Sequence, residues 1–486
     1  MAESDVSVKD TNGDSRSHIP EDLLHFIRRD TYSLLVKGFA GTGKTTLALT
    51  ILNVLGIKNN FFYISTRISP KQLFQYYPWL KDFIEQSKPQ GTSLARDHEV
   101  MSSFEDARLD EPESLFERIT NQLMDIKSPI IIIDSWDAIA SFMDREARLN
   151  NERVLQTWRE RAGAKLIFVN ENPTDTSLDF LVDGAVKLDQ GFYENIRMRE
   201  ISFLKLRGIK IKKPSYVFTL NKGNFQSFQT YDPKNFVISL DSTNSPHFHK
   251  KKINQRSLLY RQGLIRSGYH ELDINLGGGF PRRGIAAIEV ESNVNIHVAM
   301  VFLFKIIVTF MKSGNVVLFE PPESVDPASL SLYLKSYLLS AQSDLSRFFW
   351  LGTQVDGLTE PLSSEANKNR GERLLDYLYK NVVKERQSNT DRLLLNILSL
   401  SRIHRLDPRN RLEHLSFARQ NIDLTILVAR ENESILWSSD ICDTMLKICV
   451  IKGSLFLKTL YPLTPILAME VNKFSGYPMV RLIPLV

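Results

Sequence analysis

The residues from Gly38 to Thr45 form a pattern that can hold the phosphates of a nucleotide. They read Gly-Phe-Ala-Gly-Thr-Gly-Lys-Thr, which fits the spacing G-x-x-x-x-G-K-T. The glycines let backbone N–H groups point at phosphate oxygens, Lys44 can reach the β- and γ-phosphates, and the Thr45 hydroxyl can bind Mg²⁺. The predicted nucleotide-binding residues are Gly38, Phe39, Ala40, Gly41, Thr42, Gly43, Lys44, Thr45 and Thr46.

An acidic residue that can complete a magnesium site follows an apolar run. Residues 130–133 are four isoleucines, and Asp134 comes directly after them. A run that is apolar at every position predicts a strand buried on both faces, as in a parallel sheet. Ligands bind at the carboxyl ends of such strands, so we predict that Asp134 holds Mg²⁺ together with Thr45 and that Lys44 and Asp134 are catalytic. The alternative is a surface aspartate that caps the next helix.

The elements around these residues fit a strand–loop–helix unit. A strand-like run, residues 32–36, precedes the glycine-rich pattern, and a helix-favouring segment, residues 46–55, follows it, as the pattern requires. A third apolar strand, residues 165–169, ends in Asn170 and Glu171, which could sense a γ-phosphate or be ordinary turn residues.

The order of the predicted elements indicates the fold class. Strand and helix patterns alternate from residue 20 to about residue 190, which predicts a doubly wound α/β domain. The segments 184–188, 199–206 and 216–220 are predicted to be antiparallel strands that close one edge of its sheet.

Composition sets the outer limits. A chain of 486 residues predicts two or three domains, and a net charge of +5 permits contact with nucleic acid or an acidic partner without requiring it. Two cysteines, Cys442 and Cys449, cannot build a metal cage, so we expect a reducing, cytoplasmic setting. No run of 18 apolar residues free of charges occurs, so we expect no membrane span.

These motifs resemble the RecA-type ATPases of the KaiC/RadA group. The resemblance rests, in order, on residues 38–45, 133–135, 181–188, 204–208 and 216–220. It implies ATP rather than GTP as the nucleotide. It also implies that Lys205 and Arg207, in the segment Lys-x-Arg-Gly, act in trans on the nucleotide of a neighbouring subunit, and so implies a homo-oligomer. The alternative for this segment is a basic exposed strand.

The chain as a whole resembles one archaeal branch of that group, the gas-vesicle regulatory protein D (GvpD) family. The shared features are an amphipathic opening at residues 19–27, the loop at residues 36–46 and a strand-like segment at residues 62–70. The resemblance is specific over roughly residues 19–230. It implies a nucleotide-binding regulatory protein that acts on a protein partner, a transcription activator.

The second half resembles a degenerate copy of the first. Residues 265–284 are similar to the segment that leads into a KaiC-like domain, but the glycine-rich loop is absent. Aligned on the first copy, Ile296 and His297 replace Lys44 and Thr45, and Glu289 and Glu291 stand where phosphate would bind, where their charge would repel it. In the same alignment Leu398 replaces Asp134, and Lys458 remains from the Lys-x-Arg-Gly segment, without its arginine.

The predicted organisation therefore comprises two tandem RecA-like P-loop domains, each a doubly wound, mostly parallel sheet with antiparallel edge strands. The predicted segments are a disordered tail at 1–18, an ATP-binding domain at 19–230, a basic polar linker at 231–262 and a pseudo-ATPase domain at 263–486.

The family's water-activating acids are missing from the first copy. KaiC-like enzymes carry one or two glutamates after the strand that follows the first helix, whereas Thr66 and Arg67 stand there in this sequence. An arginine cannot deprotonate water at neutral pH, although it can pair with phosphate. Other acids in the first domain are Asp137, Glu99, Glu105 and Asp106. A displaced base, or none, would still support slow turnover.

Three functions fit these observations. The first is a regulatory ATPase or ATP-gated switch that acts on a protein partner, with ATP and Mg²⁺ as cofactors. The second is a RadA-like ATPase that acts on DNA, supported by the basic stretch at residues 197–213 but by no DNA-binding motif. The third is a scaffold that binds nucleotide without hydrolysing it.

Overall fold

A computed structural model gives the fold of most of the chain. It describes residues 19–57, 60–85, 104–108, 112–123, 127–236, 260–261, 263–320, 348–350, 392–404, 408–431, 441–474 and 477–486, with the single residues 322, 325, 326, 330 and 334. The chain divides into two compact units, the first formed by residues 1–228 with 485–486 and the second by residues 229–484. The predicted tail at 1–18 and residues 237–259 of the predicted linker lie outside the described residues.

The first unit is built on a nine-stranded sheet. Its strands are β1 (Tyr32–Gly38), β2 (Phe61–Ser65), β3 (Phe104–Asp106), β4 (Ile130–Asp134), β5 (Lys165–Asn170), β6 (Gly184–Tyr193), β7 (Ile196–Leu206), β8 (Ser215–Thr219) and β9 (Gln226–Ser227). Their order across the sheet is β3-β2-β4-β5-β1-β6-β7-β8-β9. Neighbours from β3 to β6 run parallel, and those from β6 to β9 run antiparallel. β6 was predicted as an antiparallel edge strand, but it also pairs in parallel with β1, the strand at the centre of the sheet.

Helices cover both faces of this sheet. Those described are α1 (Glu21–Ile27), α2 (Lys44–Leu55), α3 (Pro70–Tyr76), α4 (Trp79–Glu85), α5 (Pro112–Leu123), α6 (Trp136–Ala140) and α7 (Arg145–Ala162). The side chains of β4 show why the sheet is buried on both sides. Ile130 and Ile132 lie in the core that contains Leu47 of α2, whereas Ile131 and Ile133 lie in the opposite core. Successive side chains of a strand point to opposite faces, so an all-apolar strand requires two cores.

The second unit contains a sheet of the same size. Its strands are β13 (Gly284–Val290), β14 (Val316–Phe319), β15 (Phe348–Trp350), β16 (Leu394–Ser399), β17 (Leu424–Arg430), β18 (Thr444–Ile451), β19 (Ser454–Tyr461), β20 (Leu467–Phe474) and β21 (Tyr477–Pro484). A small sheet precedes it, formed by β10 (Tyr260–Arg261), β11 (Leu264–Ile265) and β12 (Phe280–Pro281). The described helices of this unit are α8 (His270–Asn275), α9 (His297–Lys312), α10 (Leu400–His404) and α11 (Pro408–Asn421).

The two large sheets have the same strand order. The second runs β15-β14-β16-β17-β13-β18-β19-β20-β21, which matches the first position for position when β13 is placed on β1. The pairing of β6 with β7 has a bulge between Ala185 and Val186, and that of β18 with β19 has one between Met445 and Leu446, at the equivalent place. The predicted fold class, two RecA-like α/β units in tandem, is confirmed.

Helix α9 shows how apolar the second unit is. It corresponds to α2, and its side chains from Val298 to Leu303 are all buried in the core of this unit. Among the described residues no helix is long and apolar enough to cross a membrane. The two cysteines, Cys442 and Cys449, are both buried and are not joined in a disulfide.

Candidate nucleotide-binding site

The glycine-rich loop joins the end of β1 to the start of α2. Gly41 and Gly43 have φ angles of +77° and +100°, in the left-handed region that glycine adopts without strain. A Cβ atom at Gly38 would lie 2.4 Å from the carbonyl oxygen of Leu188 on β6, so a side chain there is excluded as well. The loop therefore depends on its glycines for both its turn and its close packing.

Lys44 is the first residue of α2 and lies against its own loop. Its Nζ donates to the carbonyl oxygen of Phe39 at 2.9 Å, and the Thr42 hydroxyl donates to the same oxygen at 2.8 Å. Burial lowers the pKa of Lys44, while the charges of Glu171, Asp134 and Asp137 raise it. The amine is thus held over the loop and within the field of carboxylates from two other strand ends.

Asp134 ends β4 and contacts the start of α2. The Thr45 hydroxyl donates to Asp134 Oδ2 at 2.6 Å, and the Tyr63 hydroxyl of β2 donates to the same oxygen at 2.5 Å. Burial raises the pKa of Asp134, and these two hydrogen bonds act in the opposite direction. The structure thus brings together the two residues predicted to hold Mg²⁺.

The oxygens present suit magnesium rather than a metal held by protein alone. Mg²⁺ is usually bound by one or two carboxylates, waters and the phosphates of a substrate. Thr45 and Asp134 offer a hydroxyl and a carboxylate at the loop, and no group of three His, Cys, Asp or Glu side chains that could hold a metal occurs in the described part of the chain. The donor set therefore fits an ion that nucleotide phosphates complete.

Thr46 faces away from the loop. It is 5% exposed, and its hydroxyl lies 3.0 Å from the hydroxyl of Tyr77, just beyond α3. Its side chain is engaged there, so a contact between Thr46 and phosphate would come from its backbone N–H.

An ion pair crosses the same edge of the sheet. Arg67, two residues beyond β2, donates to Glu171, the first residue beyond β5, with 2.6 Å between Nη2 and Oε2. The carboxylate of Asp137 accepts the backbone N–H of Glu171 at 3.2 and 3.3 Å. Both Arg67 and Glu171 were noted in the sequence, but their pairing across 104 positions has no local signal.

Lys205 and Arg207 lie away from the loop. Leu206, between them, pairs with Gly184, which pairs with Leu34 of β1. The loop begins at Gly38, four residues further along β1, or roughly 13 Å along a strand. The structure therefore does not bring these two residues to the phosphate loop of their own unit.

Both residues are held by aspartates. Lys205 Nζ donates to the carbonyl oxygen of Asp179 at 2.8 Å, and the carboxylate of Asp179 pairs with the buried Lys37 at 2.7 Å. Arg207 Nη1 lies 3.4 Å from Asp183 Oδ1, and its side chain is 57% exposed. Arg207 thus keeps a largely exposed guanidinium on a fixed backbone.

The second unit has replaced phosphate-binding groups with internal contacts. Lys447 Nζ lies 2.8 Å from carboxylate oxygens of both Glu289 and Glu431. The Glu291 carboxylate accepts the N–H of Val450 at 2.8 Å. Both glutamates predicted to repel phosphate are therefore engaged in contacts that stabilise this unit. Strand register places Glu289 at the position of Lys37, one residue before the loop, and Glu291 at the position of Phe39 in the loop.

Strand register corrects one of the assigned counterparts. Asp134 of β4 and Val36 of β1 both pair with Val169 of β5, which lies between them. Val36 is two residues before the end of β1. In the second sheet the residue two before the end of β13 is Ile288. Ile288 pairs with Val428 of β17, and Val428 pairs with Ser399 of β16, so the residue equivalent to Asp134 is Ser399 and not Leu398. A serine thus takes the place of Asp134, and the alignment from sequence was shifted by one residue.

The position of the bulge shows that the counterpart assigned to Lys205 was also wrong. Lys205 pairs with Ala185, and the extra residue of the bulge, Leu204 of β7, comes directly before Lys205. The equivalent residue in β18 is Met445, and it pairs with Tyr461. Tyr461 thus takes the place of Lys205, and Lys458, which was predicted to remain from this segment, lies three residues earlier.

Comparison with known proteins bears out the resemblance. Residues 24–207 match the family model described as "GvpD gas vesicle protein, P-loop domain". Protein GvpD2 of Halobacterium salinarum is 22% identical over 493 residues, which cover 97% of this chain and 97% of that protein. Protein GvpD1 of the same organism is 26% identical over 343 residues, or 67% of this chain and 60% of that protein.

KaiC proteins are also similar to this chain. The circadian clock oscillator protein KaiC of Thermostichus vulcanus is 25% identical over 288 residues, or 54% of this chain and 48% of that protein. The predicted likeness to proteins of the KaiC and GvpD type is confirmed. These matches support a P-loop, ATPase-like regulatory protein that binds nucleotide.

Proposed function

We propose that this chain is an ATP-binding regulatory protein whose first unit binds ATP with Mg²⁺ and hydrolyses it slowly. The observation that carries the proposal is the 2.6 Å hydrogen bond between Thr45 and Asp134, next to a lysine held over a glycine-rich loop. A hydroxyl and a carboxylate in contact at this place are the residues that a magnesium–nucleotide site needs.

Each residue has a physical role in this proposal. Backbone N–H groups from Gly38 to Thr45 and the start of α2 attract the phosphates, because a helix N-terminus carries partial positive charge. Lys44 binds the β- and γ-phosphate oxygens, exchanging its bond to a carbonyl for one to an anion. Thr45 and Asp134 hold Mg²⁺, which neutralises part of the phosphate charge when it is bound.

The regulatory part of the proposal rests on the second unit and on the relatives. The second unit keeps the sheet of the first without its phosphate loop, so we propose that it serves packing or partner binding. The relatives named GvpD are gas vesicle proteins. We propose a protein partner, a transcription regulator, and a self-association in which Lys205 and Arg207 act on a neighbouring chain.

The basic stretch gives less support to a DNA-acting enzyme than its composition implied. Arg199 is 7% exposed, Lys205 donates to a carbonyl oxygen and Lys212 pairs with Glu21 at 3.1 Å. The burial of Arg199 and the ion pair of Lys212 reduce the positive charge available to a DNA backbone, so we do not propose DNA as the substrate.

The test is nucleotide binding and steady-state phosphate release by the purified protein, with and without Mg²⁺. We expect tight ATP binding and slow, Mg²⁺-dependent release. Lys44→Ala should abolish both, whereas the exposed Lys71→Ala should change neither. Failure of the wild-type protein to bind ATP would overturn the proposal. Binding without release would leave an ATP-gated switch.

A further inference from the structure

Acids that the sequence offered as water activators are not all close to the loop. Glu105 and Asp106 belong to β3, which lies four positions from β1 in the sheet order. With neighbouring strands about 4.8 Å apart, that separation is roughly 19 Å. Glu99 lies outside the described residues. These two acids of β3 are therefore too far from the loop to act on a bound phosphate.

Glu171, unlike the acids of β3, lies next to the phosphate loop. It follows Asn170, which pairs with Lys37 of β1, and Gly38 begins the loop one residue later. β5 lies between β1 and β4, so Glu171 emerges between the phosphate loop and Asp134.

The contacts of Glu171 leave part of its carboxylate open to solvent. The two neighbouring carboxylates are already engaged in hydrogen bonds. Asp134 accepts two of them on one oxygen, and Asp137 accepts the backbone N–H of Glu171. The side chain of Glu171 is 33% exposed, and its Oε2 accepts from Arg67. A carboxylate with one oxygen fixed and with access to water can hold a water molecule in a defined direction.

We propose that Glu171 is the residue that activates water for ATP hydrolysis and that Arg67, through their ion pair, positions it. The inference rests on the proposed function and identifies its missing base. The water oxygen forms a bond to the γ-phosphorus, and the bond from that phosphorus to the β–γ bridging oxygen breaks, leaving its electron pair on ADP. The proton of the water passes to the Glu171 carboxylate and then to solvent. Arginine at position 67 thus supports the base through a contact across the sheet edge.

The test compares Glu171→Gln with the wild-type protein in phosphate release and in binding of ATP and ADP. We expect release to fall by roughly 10²–10⁴-fold, the usual contribution of a general base, with binding unchanged. Glu160→Gln, an exposed site on α7, is the matched control and should release phosphate at the wild-type rate.

Arg67 needs a readout that separates positioning from phosphate binding. Arg67→Ala should lower kcat while the ATP affinity stays at the wild-type value, and Arg67→Lys should recover part of kcat because an ammonium can still pair with Glu171. A loss of ATP affinity without a loss of ADP affinity would mean that Arg67 contacts the γ-phosphate, and would overturn its positioning role.

The outcomes separate this inference from the proposed function. Wild-type release that persists in Glu171→Gln would overturn Glu171 as the base and leave the ATPase intact. ATP binding without any wild-type release would overturn the inference and leave a binding switch. Absence of ATP binding would overturn both.

Discussion

Asp183 and Asp443 make the same contact at the same place in the two sheets. Oδ2 of Asp183 accepts the N–H of Ser33 at 3.0 Å, and Oδ2 of Asp443 accepts the N–H of Ile285 at 2.8 Å. Both hydrogen bonds secure the beginning of the central strand, β1 in one unit and β13 in the other. The second unit has therefore lost the phosphate loop at one end of this strand and kept the anchor at the other.

The anchor also includes an arginine in each unit. Arg159 pairs with Asp183, and Arg419 pairs with Asp443 at 3.1 Å. We predict that Asp443→Ala lowers the free energy of unfolding of the second unit by roughly 1–3 kcal/mol, because a strand N–H and an arginine lose their acceptor. Amide hydrogen exchange of β13 measures this. Asp443→Asn, which keeps an oxygen for the N–H, is the control and should cost less. Unchanged protection in Asp443→Ala would contradict the prediction.

Magnesium dependence should report on the pair Thr45 and Asp134. We expect Thr45→Ala and Asp134→Asn each to raise the Mg²⁺ concentration that gives half-maximal ATP binding by at least ~10-fold, because each removes a metal-binding oxygen or its charge. A Mg²⁺ titration of ATP affinity gives the measurement. Thr45→Ser keeps the hydroxyl and should titrate close to wild type. The same Mg²⁺ dependence in all variants would exclude these residues as ligands.

The placement of Arg207 predicts complementation between chains. Lys44→Ala lacks a working phosphate loop, and Arg207→Ala lacks the group that we propose acts in trans, so each alone should release little phosphate. We expect an equal mixture of the two variants to recover roughly a quarter of the wild-type rate per chain. In a head-to-tail assembly, each interface joins the phosphate loop of one chain to Arg207 of the next, and about a quarter of the mixed interfaces have both Lys44 and Arg207 intact. Phosphate release by the exchanged mixture, measured at several protein concentrations, checks this. A mixture no more active than its components would indicate that Arg207 does not act in trans.

His414 on α11 should make the second unit sensitive to acid. It is 2% exposed, neither ring nitrogen has a hydrogen-bond partner in the described structure, and burial lowers its pKa to about 4. The unfolded chain takes up a proton near pH 6.5, so between that pH and about pH 4 protonation favours the unfolded state, and the folded state loses roughly 3 kcal/mol across the window.

The measurement is urea denaturation of the full chain from pH 7.5 to pH 4.5. His414→Leu should flatten the decline in stability on acidification. His270→Gln, at an exposed histidine of the same unit, should leave the decline as in the wild type. If His414→Leu declines as steeply as the wild type, another group causes the acid sensitivity.

The sequence predicted the parts of the site that depend on short segments. The loop at Gly38–Thr45 and the acid after four isoleucines each carry their signal in fewer than ten residues, and the alternation of strands and helices indicated the sheet that aligns them. Thr45 and Asp134 meet as expected, at 2.6 Å, because parallel strands end at the same edge.

Contacts that depend on strand register could not be predicted in this way. Tyr63 lies on a neighbouring strand and donates to Asp134, 71 positions away in the sequence. The face of the sheet to which its side chain points depends on how the strands pair, and the residues around Tyr63 do not reveal it. The counterparts in the second unit shifted from Leu398 to Ser399 and from Lys458 to Tyr461 for the same reason. In a strand that is apolar at every position, the sequence shows neither which residues it pairs with nor where a bulge adds a residue.

The matching bulges also bear on the history of the chain. A bulge adds one residue to a strand, and here the same addition precedes Lys205 in one sheet and Tyr461 in the other. Together with the identical strand order, this points to the duplication of a single ancestral unit that already possessed the bulge. The backbone geometry on which Lys205 stands is then common to both units, and the units differ instead in the residues that follow their central strands.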